Sequence, residues 1–157
     1  MLKTNVMRIL EEHHINYKSY EYDPELAISG TEVANILHQD PQRVFKTLVT
    51  ISKNKINYVF VLPVEKELDF KKCATSVNEK SIEMIPQKDL LPKTGYVHGG
   101  CSPIGMKKSF MTVIDISARN YPTIMFSAGK RGYQVEVNID DLLGITGAKL
   151  ASITKDE

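Results

Sequence analysis

The chain has 157 residues, of which 42% are hydrophobic and 25% are charged, and its formal net charge is +1. A length of about 150 residues supports one hydrophobic core, so we expect a single domain over residues 1–157. The near-neutral charge excludes the overall basic field that many nucleic-acid-binding proteins carry, but it is compatible with a local phosphate-binding strip.

The amino-terminal sequence MLKTNVMRILEEHH has acids and histidines where a signal peptide has a continuous apolar stretch, so we expect no export. The longest strongly apolar run, residues 58–64, is too short to span a bilayer. The two cysteines, Cys73 and Cys101, make a poor disulfide framework and suit a reducing cytosol. We therefore expect a cytoplasmic protein without a membrane partner.

The first third of the chain has the patterns of two helices and an intervening strand. Thr4 can cap a helix whose apolar residues recur at helical spacing, and the tyrosine-rich segment 17–22 has a strand-like composition. Residues 29–32, Ser-Gly-Thr-Glu, form a capping box that opens a second helix. Asp40-Pro41 predicts a further helix start, with proline at the first helical position.

A hairpin and several short elements are predicted next. Residues 43–52 are rich in β-branched side chains, and a polar turn at 53–55 leads into the apolar run 56–63, which predicts an antiparallel hairpin. Asp69 can cap a third helix. A short strand, a short helix and an ordered loop are predicted after it, at residues 82–85, 89–91 and 95–108.

Three further strands and a last helix are predicted in the remainder of the chain. The strand patterns lie at residues 110–117, 122–129 and 133–138, and Asn138 can cap the helix. Helices and strands are mixed without the regular alternation of βαβ units. We therefore predict an α+β fold in which helices flank a mixed, largely antiparallel sheet or a partial barrel.

Lys46 is unusual because it interrupts an apolar strand, on the same strand face as Val44 and Leu48. One interpretation is an edge-strand lysine whose stem reaches to water. The other is a pocket lysine that acts as a fixed cation for a carbonyl, carboxylate or phosphate. Burial could also lower its pKa enough for general-base chemistry, and the residues alone do not choose between these roles.

Two glycine-rich loops, residues 99–105 and 127–132, lie beside strands and basic residues. Glycine lets a backbone approach a ligand closely and turn its N–H groups toward negative charge. Their spacing matches neither a Walker nor a Rossmann motif, and as tight turns they would need no function. Together with Lys46 they indicate a site.

His98 and Cys101 are the residues of the first loop that could hold metal or form a nucleophile pair. Two ligands are too few for a structural zinc site, so we expect no metal and no cofactor. Cysteine–histidine catalysis requires contact between the two side chains, which this spacing neither gives nor forbids. Cys73 lies on the apolar face of its helix and is predicted to be a core residue.

These motifs together resemble the YbaK/EbsC family, and their order and spacing hold over nearly the whole chain. The resemblance is carried by residues 20–24, 45–49, 95–96, 99–100, 102–108 and 127–132. It implies a trans-acting aminoacyl-tRNA deacylase with a fold like the inserted editing domain of bacterial prolyl-tRNA synthetases. Members of this branch clear cysteine from proline tRNA, and Cys-tRNA(Cys) is a further expected substrate.

The resemblance also implies a mechanism and the residues that carry it. In this branch the thiol of the substrate attacks its own ester and releases a thiolactone, while the lysine that falls on Lys46 anchors the aminoacyl end. The family's entrance tyrosine falls on Tyr20 and its serine on Ser127. The full implied substrate-binding set is Tyr20, Phe45, Thr47, Gly99, Gly100, Ser102, Pro103, Gly105, Ser127 and Gly129.

The implied partners are the aminoacylated acceptor end of tRNA and prolyl-tRNA synthetase, with no DNA partner. The predicted phosphate contacts, which would make binding depend on salt, are Lys107, Lys108, Lys130 and Arg131. His98 and Cys101 stand at loop positions that are commonly apolar in the family, and Gln134 stands where some members have an acid. These departures leave the amino-acid preference open.

Three alternative functions follow from the same residues. A deacylase for Ala-tRNA(Pro) would need an activated water, and therefore a base, because an alanyl ester has no thiol. A non-catalytic module could bind tRNA or a synthetase with the same fold. A thiol hydrolase would depend on Cys101.

Overall fold

The structure is a computed structural model that describes residues 2–156. Its strands are β1 Tyr17–Glu21, β2 Phe45–Ser52, β3 Asn57–Pro63, β4 Ile82–Met84, β5 Met111–Asp115, β6 Thr123–Ser127, β7 Tyr133–Asn138 and β8 Lys149–Ala151. Its α-helices are α1 Asn5–Glu12, α2 Gly30–Ile36, α3 Phe70–Ser76, α4 Leu90–Thr94 and α5 Ile139–Thr146. None of these helices is long and apolar enough to cross a membrane.

The strands form two sheets. The smaller sheet has the order β1-β7-β6 and is antiparallel, and the larger has the order β4-β2-β3-β5-β8. In the larger sheet β2 pairs antiparallel with β3 and β4, whereas the β3–β5 and β5–β8 pairs are parallel. The predicted α+β class with a mixed, largely antiparallel arrangement is confirmed, and the described strands close no barrel.

The two sheets meet along one side of β2, and a gap separates the strands that contact it there. The Val44–Met125 bridge joins the start of β2 to β6, while β4 pairs only with Thr50, Ile51 and Ser52. On its other side, β2 bonds to β3 through its even-numbered residues, as the bond from Val64 N–H to Val44 O shows. Because backbone groups alternate along an antiparallel strand, the N–H and C=O of Thr47 point into the gap.

The local signals at the helix starts are confirmed. The side chains of Thr4, Ser29, Asp69 and Asn138 accept hydrogen bonds from first-turn amides of the helices that follow them. The helix predicted after Asp40-Pro41 is wrong: Asp40 accepts bonds from the next residues within one turn, and the chain then enters β2. The short strand β8 was not predicted, because its three residues are too few to show an alternating pattern.

Tyr96 holds the two glycine-rich loops together. Its hydroxyl donates to the Ile104 carbonyl in the first loop. A Cβ on Gly105 would lie 2.9 Å from the Tyr96 hydroxyl, and a Cβ on Gly129 would lie 2.9 Å from its ring. Both glycines also have positive φ angles, 77° and 92°, so glycine is required at these positions for space and for conformation.

Asp115 ties the end of the chain to β5. This carboxylate is 4% exposed, and its two oxygens accept bonds from the amides of Ser117 and Ile153. We predict that Asp115→Ala lowers the free energy of unfolding by about 2 kcal/mol, because it leaves the buried Ile153 amide and the half-buried Ser117 amide unpaired. Urea unfolding measures the change.

The matched control is Asp156→Ala, since the exposed carboxylate of Asp156 pairs with Lys72 at 2.9 Å in the same segment. An exposed ion pair contributes less than about 1 kcal/mol, so this variant should unfold nearly as the wild type does. Equal effects of the two substitutions would contradict the structural role assigned to Asp115.

Candidate active site

A cavity of about 470 Å³ lies at the gap beside β2. Residues from both faces of the strand line it, with Lys46 and Leu48 on one face and Phe45, Thr47 and Val49 on the other. The remaining walls include residues 27–31, His98, Gly99, Cys101, Ser127, Arg131 and Gln134. The volume is large enough to enclose a small-molecule group. Because residues of both faces line the cavity, a ligand inside it could contact both faces of β2 around the unpaired edge.

The Lys46 ammonium lies half-buried in this cavity. Its Nζ donates to the carbonyl of Val64 at 3.3 Å. Burial lowers the pKa of Lys46 below its usual value, and the charge of Glu67 offsets part of that effect. An ammonium has three donors, so a single carbonyl leaves two of them available to a ligand. β2 is an interior strand of the larger sheet, and the Lys46 ammonium is half-buried against the Val64 carbonyl, so a lysine stem that reaches to water does not fit.

Three buried polar side chains form the opposite wall: Thr47, Ser127 and Gln134, which are 7%, 8% and 6% exposed. Ser127 and Gln134 face each other across the β6–β7 ladder. Ser127 Oγ accepts from the Gly129 amide at 3.1 Å, so its own hydrogen remains available. Thr47 Oγ1 and Gln134 Oε1 have no hydrogen-bond partner among the described residues.

The glycine loops contribute to the cavity unequally. Gly99 lines it, whereas Gly100 packs on the second loop, where an added Cβ would lie 3.2 Å from the Arg131 amide. The Gly129 amide is occupied by Ser127. Ser102 is fully buried behind the wall and accepts from the Ile104 amide. The loops therefore shape the cavity mainly through packing.

Several predicted site residues lie elsewhere. Pro103, Gly105 and Lys108 line a second cavity of about 240 Å³. Lys107 is exposed outside both cavities, and Lys130 is exposed with its Nζ 5.7 Å from the centroid of the Tyr133 ring.

Of the four predicted phosphate contacts, Arg131 alone lines the main cavity, and its guanidinium donates to Pro24 O at 3.2 Å.

Tyr20 does not line the main cavity. Its hydroxyl donates to Glu136 at 2.6 Å, and the same carboxylate accepts from Arg43 and Thr123. Burial alone would raise the pKa of Glu136, but the bonds from Thr123 and Tyr20 and the charge of Arg43 leave it lowered. The carboxylate is therefore ionised near neutral pH, and Tyr20 is held in this network.

Cys101 lines the cavity as a protonated thiol, because burial raises its pKa to about 12. A thiol is nucleophilic only as the thiolate, so this environment disfavours a Cys101-dependent hydrolase. His98 is exposed at the cavity rim. Within residues 2–156 no cluster of three or more His, Cys, Asp or Glu side chains could hold a metal ion.

The segment 27–30 is a cavity wall that the sequence patterns did not identify. The capping box at residues 29–32 predicts only a helix start, yet Ala27, Ile28 and Gly30 all line the cavity. Gly30 packs so closely on Val64, the residue after β3, that an added Cβ would lie 2.4 Å from Val64 Cγ1. A glycine inside the capping box is the sequence signal that could have indicated this close packing. The sequence distinguishes Gln134 only by its departure from a family pattern.

The chain is similar to known proteins along most of its length. The family model described as the aminoacyl-tRNA editing domain matches residues 25–145. A protein of Enterococcus faecalis, named as a candidate Cys-tRNA(Pro)/Cys-tRNA(Cys) deacylase, EbsC, is 45% identical over 156 residues. That match covers 99% of this chain and 95% of the relative.

Solved structures share the fold. A candidate trans-editing enzyme for prolyl-tRNA synthetase superposes with a TM-score of 0.84 at 21% identity, over 99% of this chain and 100% of the other. A crystal structure of a hypothetical protein gives a TM-score of 0.87 at 18% identity, over 96% of this chain and 99% of the other. At these identities the likeness concerns the fold alone.

The burial of both cysteines predicts their reactivity. Burial raises the pKa values of the Cys73 and Cys101 thiols to about 12, so both remain protonated at pH 8. We predict that iodoacetamide leaves both unmodified in the native protein and modifies both in guanidinium chloride, as measured by intact mass. Rapid native modification of Cys101, with Cys73 protected as the internal control, would show an ionised cavity thiol instead.

Proposed function

The chain belongs to the aminoacyl-tRNA editing domain family, and on this premise we propose that it is a trans-acting deacylase that removes cysteine from mischarged Cys-tRNA(Pro). The 45% identity to a relative with that name, over nearly the whole of both chains, supports this substrate. Cys-tRNA(Cys), which the same name includes, is a second candidate substrate. The observation that carries the proposal is the half-buried Lys46 ammonium beside the unpaired edge of β2.

Lys46 and the edge of β2 can hold the reacting ester. The two unused donors of the ammonium suit the ester carbonyl or an adjacent oxygen of the terminal ribose. The Thr47 amide, which points into the gap, offers a second donor of fixed direction. Donors that are already oriented stabilise the negative charge that develops on the carbonyl oxygen.

Among residues 2–156 the cavity offers no activated nucleophile, because the Cys101 thiol is protonated and Ser127 has no histidine or carboxylate as a hydrogen-bond partner there. We therefore propose that the thiol of the substrate attacks its own ester carbonyl. The C–S bond forms as the ester C–O bond breaks, and the released ribose oxygen takes up the proton. The products are a cysteine thiolactone and free tRNA, so the step is formally closer to a lyase reaction than to a hydrolysis.

The acceptor end of the tRNA would enter past Arg131, which lines the cavity from the second glycine loop. Lys130 is exposed in the same loop, and Lys107 and Lys108 are exposed in the first. We propose that these three lysines contact backbone phosphates farther along the acceptor stem, which predicts a salt-dependent affinity.

We also propose that prolyl-tRNA synthetase delivers the mischarged tRNA in the cytoplasm. The support for this is the likeness to the fold of a candidate trans-editing enzyme for that synthetase.

We predict that Lys46→Met lowers kcat/KM for Cys-tRNA(Pro) by about 100-fold or more, because it removes a donor that stabilises the developing charge. The same variant should have an unchanged or higher melting temperature, because the methionine keeps the apolar stem and removes a partly desolvated charge. Release of labelled cysteine and thermal unfolding are the two measurements.

The control is Lys53→Met in the exposed hairpin turn at the other end of β2, which should leave both quantities unchanged. Cys101→Ala should retain deacylation, since its thiol is not the nucleophile. Full activity in Lys46→Met would overturn the proposed role of Lys46. Release of alanine but not of cysteine would favour an Ala-tRNA(Pro) deacylase, and release of neither would favour a binding module.

A further inference from the structure

Two buried polar atoms of the cavity take no part in the fold or in the step proposed above. They are Thr47 Oγ1 and Gln134 Oε1, on side chains that are 7% and 6% exposed. Both side chains line the main cavity, one from β2 and the other from β7. Buried polar groups are nearly always paired, so two unpaired ones on one cavity wall indicate a ligand that pairs with them.

The chemistry of the two atoms defines that ligand. An amide oxygen can only accept hydrogen bonds, and a threonine hydroxyl accepts them readily. A carboxylate or phosphate would meet the lone pairs of Gln134 Oε1 and be repelled. A group with two or more N–H donors matches two acceptors of this kind, and a primary amine or its ammonium form has such donors.

The cavity therefore has a donor side and an acceptor side. Lys46 and the Thr47 amide provide donors, whereas Gln134 and the Thr47 hydroxyl provide acceptors. An aminoacyl ester has the same polarity, with an acceptor carbonyl and a donor α-amino group on adjacent carbons. Ser127, paired with Gln134 across the ladder, has its hydroxyl hydrogen free for a second oxygen of the substrate.

We infer that Gln134 and Thr47 bind the α-amino group of the aminoacyl ester and make the site selective for a free amine. This inference rests on the proposed deacylase function and deepens it. Holding the amine fixes the rotation about the bond between the carbonyl carbon and the α-carbon. This sets which face of the carbonyl lies toward the substrate's β-carbon, and therefore the face that its thiol attacks. Gln134 and Thr47 are thus positioning residues for the substrate, and peptidyl or other N-blocked tRNAs are excluded.

The test compares Cys-tRNA(Pro) with 3-mercaptopropionyl-tRNA(Pro), which lacks the amine but keeps the thiol and adds no bulk. For the wild type we expect kcat/KM to be about 100-fold higher with the amine, because a site that hydrogen-bonds an N–H group rejects an analogue without it. Gln134→Met and Thr47→Val should each lower kcat/KM for Cys-tRNA(Pro) by about 10-fold and leave the value for the desamino substrate unchanged.

The conservative variants Gln134→Glu and Thr47→Ser keep an acceptor at each position, so they should retain most of the preference for the amine. A purely structural role would lower the rates with both substrates together. Equal wild-type rates with the two substrates, or a preference unchanged in Gln134→Met and Thr47→Val, would overturn the inference while leaving the deacylase function intact.

A binding experiment separates this inference from the proposed function. Calorimetry measures the binding of two non-reactive analogues that have an amide in place of the ester. One is 3′-cysteinylamino-3′-deoxyadenosine, which has the free amine, and the other is its 3-mercaptopropionyl counterpart, which lacks it. Tighter wild-type binding of the free amine, lost in Gln134→Met, supports the inference even if no tRNA is deacylated. Equal binding of the two analogues, or binding of neither, overturns it.

Discussion

The site depends on an interruption in the hydrogen bonding along one side of β2. This strand bonds to β6 at its start and to β4 at its end, and between them Thr47 bonds to neither. Ile85 is the last residue that bonds to β2, and Gln87, whose amide would face Thr47 if the ladder continued, instead begins a 3-10 helix. The unpaired backbone of Thr47 opens the cavity in which Lys46, Ser127 and Gln134 meet.

The placement of Lys46 beside this gap has an energetic consequence. Burial disfavours the ammonium, and one carbonyl at 3.3 Å does not replace its lost hydration. A ligand oxygen would supply the missing partner, so the interactions that cost stability in the free protein become available to the substrate. The rigid surroundings favour this use, because Tyr96 packs against Gly105 and Gly129 and holds both loops in place.

The sequence predicted the features that depend on neighbouring residues. The capping residues, the hairpin and Lys46 itself were identified because each has a local signal in composition or spacing. The gap beside Thr47 was not predictable, since it arises from the register of three strands that are distant along the chain. For the same reason the resemblance grouped Tyr20, Pro103 and Gly105 with Lys46, although Tyr20 bonds to Glu136 and the other two line a different cavity.

In the proposed mechanism the substrate supplies the nucleophile, while Lys46 and the edge of β2 orient its ester. The most direct measurement compares Cys-tRNA(Pro) with S-methylcysteinyl-tRNA(Pro), which keeps the amine and ester but has no thiol. Intramolecular attack predicts a cysteine thiolactone detectable by rapid-quench mass spectrometry from the first substrate and no enzymatic release from the second. Release of S-methylcysteine at a rate similar to that of cysteine would contradict it, because an activated water would then be the nucleophile.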